Sequence, residues 1–152
     1  MPTVLGGSTL KHWVNEHCLR QLNRPEVHIY DSDVGKYAES VEQVNQRTDG
    51  SWAVQTRKYE IENYLHSDAI QKAFGVEVEV TDQPADGSQA VPKAFALAYS
   101  QAMGFDGVMG DDKAKNKLAE KAFPLMTATM LRERDPDGEV EGWFRRIAEM
   151  LA

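Results

Sequence analysis

Through its first half the chain alternates short β-favouring runs with segments of helical periodicity, and that alternation is the strongest constraint on its fold. Thr3-Val4-Leu5 is a short apolar run closed by Gly6-Gly7. Ser8 or Thr9 can then cap a helix that carries Leu10, Trp13, Val14, His17, Cys18 and Leu22 on one stripe, with Pro25 closing the segment. Residues 26–30 read as a second strand. Val34, Tyr37, Ala38, Val41 and Val44 then mark the face of a helix beginning near Asp31-Ser32-Asp33, and residues 51–56 read as a third strand. A helix over Ser67–Phe74, stopped by Gly75, completes the series. Strands separated by helical crossovers pair in parallel with helices on the sheet faces, so the expected class is α/β.

The second half changes character. Val76, Val78 and Val80 alternate, which predicts a short strand or edge segment. Residues 81–91 contain Pro84, Gly87 and several polar residues and read as the most flexible loop. Helices follow over 92–101, 112–122 and 124–133, and over Glu139–Leu151, whose stripe comprises Val140, Trp143, Phe144, Ile147, Met150 and Leu151. Asp135-Pro136-Asp137-Gly138 supplies the turn before that last helix. The expected organisation is an α/β portion over 1–80, a loop over 81–91, and a helical extension over 92–152 packed on the same domain. A length of 152 residues suits one domain.

Seventeen Lys plus Arg against twenty-four Asp plus Glu leave a net charge of −7, a mild argument against whole-surface affinity for nucleic acid. A local basic groove beside an acidic metal site remains compatible with that balance. The single cysteine, Cys18, removes an internal disulfide and any CxxC metal or redox site. No apolar run approaches the roughly 20 residues of a bilayer span, and the start lacks a basic region followed by a long apolar stretch. The expected location is cytoplasmic, with no membrane partner.

The chemistry-bearing residues fall at two places. Asp31-Ser32-Asp33 follows a strand, and in open α/β sheets the crevice beyond the carboxyl ends of the strands is where ligands bind. Two carboxylates separated by one residue can address one hard cation, and Mg²⁺ is commonly held by one or two carboxylates together with water and phosphate oxygens. The plainer alternative makes Asp33 the cap of the following helix. The second place is Lys58-Tyr59-Glu60-Ile61-Glu62-Asn63-Tyr64-Leu65, just past the next strand. A lysine there can neutralise a phosphate, and Glu60 or Glu62 can add a metal ligand or hold Lys58. The alternative is an exposed, charged helix start with Ile61, Tyr64 and Leu65 packing inward.

These paired segments, His28-Ile29-Tyr30-Asp31-Ser32-Asp33 and Lys58 through Leu65, resemble the TOPRIM domain of OLD-family (overcoming lysogenization defect) nucleases. The resemblance covers about residues 3 to 75. It implies a TOPRIM-like parallel sheet flanked by helices, and Mg²⁺- or Mn²⁺-dependent hydrolysis of DNA phosphodiesters, often in anti-phage defence. Matched residue by residue, it makes Asp31 and Asp33 the metal ligands and Lys58 the phosphate-facing cation, with Glu62 in the matched segment. The family's earlier strand ending in a catalytic glutamate has no counterpart here: Glu16 lies within a helical stretch and Glu26 at a strand start. No G-x-x-x-x-G-K-[ST] phosphate loop occurs. The chain is therefore expected to match the carboxyl-terminal portion of such proteins, with an ATPase partner chain or a second copy as the possible complement.

A rival reading from another class is a non-catalytic binding or regulatory module that docks on a partner ATPase–nuclease or self-associates. A phosphatase or nucleotidyl transferase is a weaker third, since the same acidic site serves several phosphoryl chemistries. Other residues have plain readings. His12 and His17 do not share the i, i+4 spacing of a helical metal pair, and a zinc site at His17-Cys18 is disfavoured. His28 reads as a core or sheet-face residue, His66 as the end of a helical segment, and Trp13, Trp52, Trp143 and Phe144 as core. Lys113, Lys115, Lys117, Lys121, Arg132, Arg134, Arg145 and Arg146 are interleaved with acids, the pattern of a solvated face more than of a phosphate-binding one.

Overall fold

Two short strands rich in β-branched and aromatic residues, Val27–Tyr30 (β1) and Trp52–Gln55 (β2), pair in parallel, with Val27 opposite Trp52 and Tyr30 opposite Gln55. The computed structural model describes residues 20–22, 24–33, 35 and 37–151. The expected strand at 3–5, its glycine turn, and the helix positions His12, Trp13, His17 and Cys18 lie outside the described residues. The chain divides into two compact units, Met1–Gln55 with Phe144–Ala152, and Thr56–Trp143. The coarse α/β class holds, and among the described residues helix dominates over a two-stranded sheet.

In the first unit the crossover between the strands is the helix Tyr37–Asn45 (α1). Val44 is fully buried against Tyr30 and Ala53, with Tyr37 and Val41 packed at the margin. Tyr30 stacks on Tyr37 and on His28, at centroid separations of 5.3 and 5.8 Å. His28 bridges the Glu26 carboxylate (2.8 Å) and the Tyr30 hydroxyl (2.9 Å), and Arg47 meets the same carboxylate at 2.8 Å. Burial, only partly offset by the nearby Arg47 charge, pushes the Tyr30 hydroxyl pKa up to about 12.

The far side of β2 is closed by a side chain. The Trp52 N–H donates to the Glu26 carbonyl (2.8 Å), so the peptide groups of Ala53 face away from β1. Asn45, the last residue of α1, meets them with both ends of its amide: Nδ2 donates to the Ala53 carbonyl (3.0 Å) and Oδ1 accepts from the Ala53 N–H (2.8 Å). One side chain thus supplies what an additional strand would supply at that residue.

In the second unit Ser67–Phe74 (α2), Val91–Ala102 (α3) and Asp111–Lys117 (α4) surround a core of Leu65, Ile70, Val76, Val78, Val91, Phe95, Ala96, Ala114, Leu118 and Ala122. Phe74, Phe95 and Tyr99 form an aromatic cluster within it. Ala128–Arg134 (α5) and Glu139–Leu151 (α6) follow. Of the helices read as an extension, α3, α4 and α5 and the first residues of α6 through Trp143 share this unit with the segment 58–80, and Phe144 onward is grouped with the first unit. Among the described residues no helix is long and apolar enough to cross a membrane.

Several sequence expectations are corrected. Val76, Val78 and Val80 do not form a strand: the backbone is irregular there, although Val76 and Val78 enter the core. Alternating burial reports which side chains turn inward, not whether the backbone joins a ladder. The helix after β1 starts at Tyr37, leaving Asp31–Asp33 in a turn, so Asp33 does not cap it. The helix expected over 112–122 changes to a wider π turn over Leu118–Ala122, and Pro124 lies in the 3₁₀ turn Phe123–Leu125. Pro124 has no N–H to continue the ladder and its ring clashes with the carbonyl four residues back, which accounts for the altered winding. The next helix begins only at Ala128, where Thr127 accepts a hydrogen bond from the Met130 N–H. His66 starts a helix instead of ending one: its Nδ1 accepts from the Asp68 N–H at 3.1 Å. Phe144 is 67% exposed while its neighbour Trp143 is buried, so the apolar stripe of α6 is narrower than its pattern.

Two substitutions test this account by urea denaturation. Asn45→Ala leaves two peptide groups of Ala53 without these partners and is expected to cost about 1–3 kcal/mol. Phe95→Ala empties the aromatic cluster and is expected to cost about 3–5 kcal/mol.

Candidate functional site

The parallel register puts the carboxyl ends of β1 and β2 at one edge. Asp31-Ser32-Asp33 begins immediately beyond β1, with Asp31 and Ser32 partly buried and Asp33 exposed. The Gln55 amide, at the end of β2, donates to the Asp31 carbonyl at 3.5 Å. The donor set of this turn is all oxygen, two carboxylates and a hydroxyl, which suits a hard, largely hydrated cation such as Mg²⁺ or Mn²⁺. Among the described residues no group of three or more His, Cys, Asp or Glu side chains is gathered as metal ligands.

Lys58 through Leu65 has a different character from an exposed charged helix start. Lys58, Glu60 and Glu62 are all buried, as are Thr56, Asn63, Tyr64 and Leu65. Charged side chains are almost never buried unless paired, and each is met by an opposite charge. Lys58 Nζ lies 2.5 Å from Asp82 Oδ1 and 5.4 Å from the centre of the Tyr64 ring. Lys115 pairs with Glu60 and reaches Glu62 at 3.9 Å. The 3₁₀ turn Ile61–Tyr64 is held by Asn63, whose Oδ1 accepts from the Glu60 N–H (3.0 Å) and whose Nδ2 donates to the Thr81 carbonyl (2.7 Å).

Arg134, at the end of α5, joins this cluster. Its Nη2 donates to Asp82 (2.6 Å) and to the Asn63 carbonyl (2.8 Å). Asp82 therefore accepts from two cations. Burial opposes ionisation of its carboxyl, but the hydrogen bond and charge of Lys58, followed by those of Arg134, outweigh that and hold its pKa below the ordinary aspartate value. Alongside lies a second network. Arg57 faces Asp135 (3.6 Å), Asp137 (3.1 Å) and Glu139 (3.2 Å), and the Tyr64 hydroxyl donates to Glu139. Burial first, then that hydrogen bond, raise the Tyr64 pKa.

The structure thus brings Lys58 and Glu62 into one buried polar cluster of the second unit, while Asp31 and Asp33 form the strand-end turn of the first. Asp82 was not among the candidates read from sequence, and Lys115 and Arg134 were weighed there for phosphate contact and read instead as a solvated face. Asp82 sits in what reads as a flexible loop, and Lys115 and Arg134 sit in runs with the interleaved charge of a solvated face. Their partners lie far away in sequence, so no local spacing marks them. No family model, no curated protein and no solved structure matches the chain.

A carboxylate whose pKa is lower folded than unfolded contributes stability that is present above the unfolded pKa and is lost as pH falls through the folded one. With an unfolded aspartate near pH ~3.9, the Asp82 contribution is expected to be full at neutral pH and to vanish below that value. Asp82→Asn should flatten the acid limb of melting temperature against pH. Lys115→Ala, which takes a cation from two buried carboxylates, is expected to destabilise by about 3 kcal/mol, partly recovered by adding Glu60→Gln, as measured by chemical denaturation.

Proposed function

We propose that the chain is a divalent-metal-dependent phosphodiesterase module acting on DNA, of the kind its TOPRIM and OLD-family resemblance implies. The observation that carries this reading is the parallel β1–β2 pair, which has Asp31-Ser32-Asp33 at its carboxyl edge, where open α/β sheets bind ligands. Asp31 and Asp33 would hold Mg²⁺ or Mn²⁺, and Lys58 would be the cation facing the phosphate. Metal bound there supplies charge neutralisation at the phosphate and a more acidic bound water. The residues of the chain have separate tasks. The Asp31 and Asp33 carboxylates would receive the cation, and Gln55 steadies the turn through the Asp31 carbonyl. An ammonium at Lys58 offsets negative charge developing on the phosphate oxygens. Glu62, which Lys115 approaches at 3.9 Å, would act with Lys58 in stabilising the phosphate.

A second reading is favoured by one observation. Lys58, Glu60 and Glu62 are engaged by Asp82 and Lys115 within their own unit, which suits a structural role for the segment. On that reading the chain is a non-catalytic module that docks on a partner ATPase–nuclease or on a second copy of itself.

Nicking of supercoiled DNA with Mg²⁺ or Mn²⁺ separates the two. The hydrolase reading expects metal-dependent nicking that Asp31→Ala/Asp33→Ala lowers by about 100-fold or more, in line with removal of groups that stabilise charge in a transition state. Equal nicking by both proteins, or none with either metal, would remove it. A stable oligomer in mass-resolved size exclusion, together with absent nicking, would leave the docking module.

A further inference from the structure

We propose that Lys58 and Arg134 form a binding site for a phosphate group, which the Asp82 carboxylate occupies as an internal substitute. Lys58 Nζ and Arg134 Nη2 converge on the same oxygen, Asp82 Oδ1, at 2.5 and 2.6 Å. A carboxylate held between an ammonium and a guanidinium presents the charge and the acceptor geometry that a phosphate presents to the same pair. The site is built and not merely basic. The Lys58 side chain is 8% exposed, the Tyr64 ring backs its ammonium, and the Asn63 carbonyl fixes the guanidinium. The Arg134 Nε is buried and has no hydrogen-bond acceptor among the described residues, so the guanidinium retains donor capacity.

The occupant differs from its hosts in exposure. The Asp82 side chain is 57% exposed, so it borders solvent, and rotating it outward releases the contacts it makes with Lys58 and Arg134 for an incoming anion to take over. Its backbone need not move. The Asp82 carbonyl accepts from the Tyr59 N–H (3.0 Å), the Thr81 carbonyl from Asn63 Nδ2 (2.7 Å), and Gln83 Nε2 donates to the Arg57 carbonyl (2.7 Å). These bonds pin residues 81–83 independently of the carboxylate, so shortening Asp82 leaves a carboxylate-sized gap between fixed cations. The ligand class is a phosphate monoester or diester, either free or as part of a nucleic-acid backbone. The site shares Lys58 with the hydrolase reading but requires no metal at Asp31 and Asp33.

The test is calorimetric titration of the full chain, without divalent metal, using inorganic phosphate and, separately, a short single-stranded oligodeoxynucleotide. Wild type is expected to bind phosphate weakly, because Asp82 competes. Asp82→Ala is expected to bind it about tenfold more tightly or better, the effect of removing a competitor worth 1.4 kcal/mol or more, and Asp82→Ala/Arg134→Gln to lose the gain. Tightening toward phosphate alone identifies a free anion, and a parallel gain toward the oligonucleotide identifies the backbone as the source. A folded Asp82→Ala that binds neither probe more tightly than wild type overturns the proposal. If Asp82→Ala does not fold, Asp82→Asn and wild type decide: saturable phosphate binding by wild type that Arg134→Gln abolishes supports the site, and no tightening in Asp82→Asn with no saturable binding by wild type overturns it. Because metal is omitted, failure here leaves metal-dependent nicking unaffected, and failure of nicking leaves this site unaffected.

Discussion

The second unit depends on burying charge in pairs. Within five residues the chain places Lys58, Glu60 and Glu62 below the surface, and each meets a counter-charge from a distant segment, Asp82 for the lysine and Lys115 for the glutamates, with Arg134 sharing Asp82. Such pairs add little net stability compared with a well-packed apolar core, but losing one partner leaves a charge in a poorly solvating interior. The chain segments 57–65, 81–83, α4 and α5 can come together in few ways that leave all these charges matched. The Arg57 network with Asp135, Asp137 and Glu139 ties the turn before α6 to the same segment.

The first unit solves a different problem with less material. Among the described residues the ladder has two strands, and the outer side of β2 calls for hydrogen-bond partners. Here the connecting helix supplies both the apolar face, through Val44, and the polar closure, through Asn45. Adjacent positions at the end of one helix thus cover the sheet face and the sheet edge. The half-buried Glu26, shared by His28 and Arg47, anchors the start of β1 in the same economical way.

Much of the helical layout was legible in the sequence because its signals are local. Ser67–Phe74 with its Gly75 stop, and Glu139–Leu151 after the Asp-Pro-Asp-Gly turn, need only periodicity and punctuation to be recognised. Both strands were legible for a similar reason. Residues 76–80 were not, because their alternation came from inward packing without a neighbouring strand. Asp31 and Asp33 could be placed at a strand end from sequence, and the structure keeps them there. The surroundings of Lys58 could not be foreseen: its carboxylate partner sits in a polar loop, and the arginine that shares it closes a helix with an ordinary surface pattern. Pairing over such separations is set by the tertiary fold and leaves no periodic trace.

The Asn45 clasp depends on an amide, a donor at one end and an acceptor at the other. An asparagine side chain can lose ammonia and become aspartate, and an aspartate at this position has acceptors only. Where the amide now gives a hydrogen to the Ala53 carbonyl and takes one from its N–H, the hydrolysed residue would face that carbonyl with negative charge. The change of a single atom, nitrogen to oxygen, would thus turn the seal at Ala53 into a point of repulsion.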